Sequence, residues 1–296
     1  MSDQGPFRCG HVAIVGRPNV GKSTLLNHLV GQKVSITSKK AQTTRHRING
    51  IHTDAHAQAV FVDTPGFQTL HRSRLNERMN RSVTQSLLDV DAVIAVIEGG
   101  RTVPADRAVI ALLPPGARAV AALNKIDAMD DRNQLLPQMA ELATLFDFSA
   151  LVPVSAERNR GLAELLAAVH PLLPEGPPLY DAEELTDRDE RFLAAEFVRE
   201  KIFRLLGEEV PYATTVAIDS FEENAGVRRI HATVYVEKAS QRAILLGEGG
   251  TRMKEIATRA REDMERMFGG KVFLEVWIKI KRGWADDENA LKRFGY

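Results

Sequence analysis

Gly16-Arg17-Pro18-Asn19-Val20-Gly21-Lys22-Ser23 is the stretch that decides the fold of this chain. It fits G-x-x-x-x-G-K-S/T, and it lies between a short apolar run, His11–Val15, and a helix-like stretch, Ser23–Val30. Strand, glycine-rich loop and helix in that order form a phosphate cradle. Glycines let backbone N–H groups approach phosphate oxygens, and the helix start adds partial positive charge. Lys22 can reach the outer phosphates, and the Ser23 hydroxyl, followed by Thr24, can ligand Mg²⁺.

Working outward, further apolar runs occur at Ala59–Val62, Ala92–Ile97, Ala119–Leu123 and Leu151–Val154. They lack polar alternation, as expected of strands buried on both faces of a mostly parallel sheet. Ile48–Thr53 is less apolar and reads as an edge strand. Helical spacing fills the gaps, over 75–88, 105–113, 135–146 and 162–173. Three of the runs end in polar motifs. Asp63-Thr64-Pro65-Gly66, followed by Phe67, offers a carboxylate for Mg²⁺ and a backbone N–H for a terminal phosphate. Asn124-Lys125-Ile126-Asp127 offers a carboxylate that can accept from both N1–H and the 2-amino group of guanine, which adenine lacks. Ser155-Ala156 can present a backbone N–H to guanine O6. The three motifs and the phosphate loop, each at a strand's carboxyl end, predict a guanine-nucleotide site.

The chain has 296 residues, with 39 Lys+Arg, 39 Asp+Glu and one cysteine. That length suggests about two domains. Cys9 alone excludes an internal disulfide and a cysteine-rich zinc site, and fits a reducing compartment. No apolar run reaches the roughly 18–20 residues that span a bilayer. Residues 1–10 do not read as a secretory signal, so a soluble cytoplasmic protein is expected.

The pattern breaks at Pro171–Asp189, rich in proline and acid. The expected division is a nucleotide-binding domain at 1–173, a linker at 174–190, a small α+β domain at 191–283 and a tail at 284–296. The small domain reads α-β-β-α-α-β, with Gly247-Glu248-Gly249-Gly250 between its last two helices. A G-x-x-G loop brings backbone close to a nucleotide backbone. Charge supports this. Residues 181–237 hold 7 basic and 14 acidic side chains, whereas 238–282 hold 11 and 6. The overall neutrality therefore conceals a basic segment around the loop. Thr251, Arg252, Lys254, Lys281 and Arg282 are candidate donors, and Trp284 is favoured over Trp277 as a surface for base stacking. Glu248 lies inside the loop, and an acid next to a phosphate repels it, which weighs against a phosphate contact there.

The ordered nucleotide motifs, Gln42-Thr43-Thr44-Arg45-His46-Arg47 and Trp277-Ile278-Lys279-Ile280 together resemble the Era family of bacterial ribosome-assembly GTPases, over essentially the whole chain. The resemblance implies a P-loop GTPase domain followed by a type II KH domain, with GTP/GDP and Mg²⁺ as ligands. It implies binding of the 3′ end of 16S rRNA, and assistance to 16S processing and to 30S subunit assembly. It also implies a monomer, with peripheral contact to the inner face of the cell membrane. A family threonine that closes over Mg²⁺ is either Thr43 or Thr44, with Thr44 favoured. Phe67 stands where signalling GTPases place a water-orienting glutamine, so slow hydrolysis is expected. Asn19 is the candidate ligand for an assisting K⁺. The alternative is a signalling GTPase whose second domain binds a protein or membrane in cell-cycle control.

Overall fold

A computed structural model describes residues 6–67, 73–207 and 209–296. The expectations about the first five residues, and about the loop beyond Phe67, lie outside them. Among the described residues, 6–35, 44–67 and 78–187 form one compact unit, and 36–43, 73–77 and 188–296 form a second.

The first unit runs β1 (Arg8–Val15), α1 (Lys22–Val30), β2 (Ile48–Thr53), β3 (Ala57–Asp63), α2 (Arg74–Leu88), β4 (Ala92–Glu98), α3 (Pro104–Ile110), β5 (Ala119–Asn124), α4 (Leu135–Leu145), β6 (Ala150–Pro153) and α5 (Leu162–Val169). The first turn of α2 groups with the second unit. The sheet order is β2-β3-β1-β4-β5-β6. Only β2 runs antiparallel to its neighbour. Every residue of β3 and β5 is buried, which is what their unbroken apolar runs require. Ala13, Val15, Val93, Ala95, Ala121 and Leu123 form one face of the core against helical Val83, Val109 and Leu142. Strand order reverses at β1, so the carboxyl ends of β1, β3 and β5 open on one crevice, the usual ligand position in such sheets.

Residues 174–187, expected as a linker, lie on this unit. Cys9 N–H donates to the Pro174 carbonyl at 2.9 Å, and Ile51 N–H to that of Leu185 at 2.9 Å. The Gln58 side chain accepts from Leu179 and Tyr180 N–H groups. Edge strand β2 has unpaired backbone groups, and the extended segment satisfies some of them.

The second unit runs α6 (Glu190–Leu205), α7 (Glu209–Tyr212), β7 (Thr215–Asn224), β8 (Val227–Val236), α8 (Ala239–Leu246), α9 (Thr251–Phe268), β9 (Lys271–Ile280) and α10 (Glu288–Arg293). Its sheet order is β7-β8-β9, antiparallel then parallel. Phe197, Ile202, Ile230, Val234, Ile256 and Met264 fill the core between sheet and helices. Strand alternation turns Val272, Leu274, Val276 and Ile278 into that core. It leaves Phe273 and Trp277 on the opposite face, 48% and 58% exposed.

Candidate functional site

The phosphate loop takes its shape from contacts across the sheet. Gly21 sits at φ +98°, and a Cβ there would lie 2.4 Å from Nδ2 of Asn124, so only glycine fits. That Asn124 amide donates to the Val20 carbonyl at 2.8 Å, while its Oδ1 accepts from Ala156 N–H at 2.9 Å. One side chain of the third motif therefore braces the first and the fourth. Ser155 Oγ donates to Asp127, orienting the carboxylate expected to read guanine. The second motif also approaches closely, since a Cβ on Gly66 would sit 2.9 Å from the Pro18 backbone.

Lys22 is buried, and Nζ donates to the carbonyls of Gly16 and Arg17 at 3.0 and 3.1 Å. Burial lowers its pKa to about 8, against the raising effect of Asp63. A buried ammonium that donates to two neutral carbonyls gains strongly from an anion.

Oxygen donors cluster beside it. Ser23 Oγ lies 2.7 Å from Thr44 Oγ1 and donates to Asp63 Oδ2 at 2.8 Å. Ser35 Oγ donates to the same Oδ2 at 2.8 Å. Burial raises the Asp63 carboxyl above the usual range, against Lys22 and these hydroxyls. Its Oδ1 is buried without a hydrogen-bond partner. A carboxylate with an unused oxygen, flanked by hydroxyls, fits a hard cation such as Mg²⁺. Between the two threonines the geometry favours Thr44. Thr43 instead pairs with Ser38 Oγ and the Lys40 carbonyl, both at 2.7 Å.

Residues 36–43 bond within the second unit. Thr37 N–H donates to Glu200 at 3.0 Å, and Arg199 Nη2 to the Thr43 carbonyl at 2.5 Å. Lys40 Nζ donates to the Phe203 carbonyl at 2.7 Å, near the C-terminal end of α6. The segment that leads to Thr44 is thus held by the first helix of the second unit.

The G-x-x-G loop makes a short turn in which Gly247, Gly249 and Gly250 all have positive φ, at 67°, 57° and 80°. Open space surrounds Gly249 and Gly250, so backbone conformation, and not crowding, demands glycine there. The loop is tied locally, by Thr251 Oγ1 to the Glu248 carbonyl at 2.8 Å and Arg252 Nη1 to the Ile244 carbonyl at 3.0 Å. Thr251, Arg252 and Lys254 are exposed at the start of α9.

Residues 11–125 match a family described as 50S ribosome-binding GTPase, and residues 209–285 match the KH domain. GTPase Era of Nitrosomonas eutropha is 55% identical over 296 residues, covering all of both chains. GTPase Era of Chromobacterium violaceum is 55% identical over 290 residues, 98% of each. The chain belongs to the Era family of GTPases. Two solved Era structures superpose at TM-score 0.93 and 36% identity, covering 98% of this chain and 99% of theirs. One, a variant from Aquifex aeolicus, is bound to GDP·AlF4⁻; the other is in complex with MgGDPNP and nucleotides 1506–1542 of 16S ribosomal RNA. The protein is a GTP hydrolase built from a P-loop GTPase domain and a C-terminal KH domain, as the sequence motifs led one to expect.

One expectation about the Era-type RNA surface is corrected. Trp284 is fully buried; its Nε1 donates to the Ala213 carbonyl at 3.0 Å, and its ring meets Phe294 edge-on and stacks on Tyr296. The tail expected at 284–296 folds into α10, with Asp287 capping its first turn, and covers the indole. The tryptophan open to solvent is Trp277. Its position on β9 is the one signal that could have revealed it, because it lies out of phase with inward Val276 and Ile278. The sequence also gave no sign of Ser35 beside Asp63, or of the ion pairs that hold Arg17.

Proposed function

We propose that this protein is a GTP-dependent switch that binds the 3′ end of 16S rRNA through its KH domain and assists 16S processing and 30S subunit assembly, as a cytoplasmic monomer. The observation that carries this reading is the pairing, in one chain, of a braced guanine-nucleotide crevice with an open glycine turn flanked by exposed cations. The bound rRNA of the superposable Era supports the choice of RNA.

In the nucleotide site, the backbone and side chains of residues 16–24, with Asp63–Phe67, hold the phosphates, while Asn124, Lys125, Asp127, Ser155 and Ala156 hold guanine. Mg²⁺ falls to Ser23, Thr44 and Asp63, where it supplies positive charge to the transferring phosphoryl group. Residues 36–43, held on α6 through Thr37 and Thr43, belong to the stretch that GTP is expected to order and hydrolysis to release. Phe67 packs against the core and brings no polar atom to a water molecule. Asn19, exposed at φ 66°, is suited to hold K⁺ beside the phosphates. Turnover is expected to be faster in K⁺ than in Na⁺ buffer, and equal rates would overturn that role.

For RNA, Gly247–Gly250, Thr251, Arg252, Lys254, Lys281 and Arg282 meet the backbone, and Trp277 replaces Trp284 as the stacking surface. The same basic segment is the part suited to peripheral contact with an anionic membrane. No helix among the described residues is long and apolar enough to cross one. The decisive experiment measures affinity for a 3′-terminal 16S rRNA fragment against salt concentration. Arg252→Glu with Lys254→Glu is expected to weaken binding at least tenfold and flatten the salt slope by about two. Unchanged affinity and slope would sink the KH reading.

A further inference from the structure

We propose that Glu98 is a positioning residue of the nucleotide site, one carboxylate that ties the phosphate loop to the guanine loop. The proposal rests on the reading of that site given above. Glu98 is the last residue of β4, between the strands that carry the two loops. Its Oε2 accepts from Arg17 Nη2 at 2.5 Å, and its Oε1 from Lys125 Nζ at 3.2 Å. The two cations belong to the first and third nucleotide motifs, 108 positions apart.

The bridge is anchored at Arg17 and at the backbone of Glu98 itself. Arg17 is gripped a second time, by Asp106 Oδ1 at 3.0 Å from Nε. Asp106 is only 1% exposed, and its other oxygen accepts from Val103 N–H at 3.0 Å at the start of α3. The Glu98 backbone is equally fixed: its carbonyl accepts from Gln138 Nε2 at 2.9 Å, and the next N–H, of Gly99, donates to the Asn124 carbonyl at 2.7 Å. Burial works against the charge on Glu98, but the bonds from Arg17 and Lys125 outweigh it and hold the carboxyl below its usual range.

What hangs on this post is mobile by nature. Lys125 has a four-carbon stem, and its backbone is in the left-handed region at φ 65°, uncommon for a residue with a side chain. With the ammonium held at Glu98, the stem has few conformers left beside Asp127. Arg17 draws the phosphate loop to the same point. The ordering is completed on folding, so it is not charged against nucleotide binding.

The test is a double-mutant cycle on the full chain, read by the dissociation constant of GDP. Glu98→Gln keeps shape and removes charge. It is expected to weaken GDP about five- to tenfold, the scale of a half-exposed ion-pair bridge with a charged hydrogen bond. Lys125→Ala should weaken GDP more, and Glu98→Gln should cost less on the Lys125→Ala background than alone, the remainder being its hold on Arg17. Glu98→Asp, charged but too short to reach both cations, should resemble Glu98→Gln, and serves if the latter does not fold. Wild-type affinity in both Glu98 variants, or an equal loss with and without Lys125, overturns the proposal. So does a fall in nucleotide-free melting temperature of more than about 5 °C in both, which would mark a structural role. If neither Lys125→Ala nor Asp127→Asn weakens GDP, the guanine-site reading fails and takes this proposal with it. If those two weaken GDP and the Glu98 variants do not, this proposal alone fails.

Discussion

The two functional regions are built in opposite ways. In the nucleotide crevice, groups far apart in sequence hold one another: Asn124 braces Val20 and Ala156, Ser23 and Ser35 converge on Asp63, and Lys22 is buried beneath the loop. In the G-x-x-G turn the ties are local, Thr251 to Glu248 and Arg252 to Ile244, and the donors are exposed. The first region fixes its geometry through tertiary structure before any ligand arrives, so a single atom there matters. The second fixes only a backbone shape and spreads attraction over several cations, each worth little alone.

The largest expected effect tests the first half of that contrast. Asp127→Asn changes one oxygen to a nitrogen. It removes an acceptor for the guanine amino group, and should cost at least about a hundredfold in GTP affinity. Xanthosine triphosphate carries a carbonyl at that place, and its affinity should rise. A fluorescent-nucleotide titration decides this. Undiminished preference for GTP would mean that the crevice reads the base through some other group, and the contrast would break. In the second region the doubled charge reversal at Arg252 and Lys254 is needed for the tenfold loss in RNA affinity, and a full loss from either single reversal would show that the turn is as tightly specified as the crevice.

What was legible in the sequence follows the same contrast. The phosphate loop, Asp63–Gly66 and Asn124–Asp127 are contiguous motifs at the ends of apolar runs, so their chemistry and their place in the sheet could be read together. Thr43 and Thr44 are neighbours with the same side chain, and only the fold separates them, by placing one hydroxyl against Ser23 and the other against Ser38. The ion pairs of Glu98 and Asp106 with Arg17 join distant strands and leave no local pattern. Trp284 was favoured as a stacking surface because it stands beside Lys281 and Arg282, but Phe294 and Tyr296, carried in by a six-residue helix, close over it. Not all the charges of 181–237 face outward: Glu196 and Glu200 are buried and paired with Arg199 and Lys201, two acids and two bases whose withdrawal leaves the net acidity of the segment on its surface.

The smallest expected effect sharpens the contrast at one buried atom. Lys22 has its pKa lowered to about 8 in the folded, nucleotide-free protein, because burial disfavours its charge. Unfolding returns it to the ordinary lysine value near 10.4, so between the two values the unfolded chain binds more protons. From this group alone, the stability of the nucleotide-free protein should therefore rise with pH above about 8. Nucleotide binding runs the other way. Phosphate oxygens favour the ammonium and raise its pKa, so above pH 8 each binding event draws a proton from solution. GDP affinity should fall as pH rises through about 8, by at most about tenfold per unit. Calorimetry in buffers of different protonation enthalpy reads this directly, with little proton uptake at about pH 7 and uptake approaching one proton per nucleotide above about pH 9. Zero uptake across that range would mean that Lys22 does not meet the phosphates, and that the loop binds them through its backbone alone.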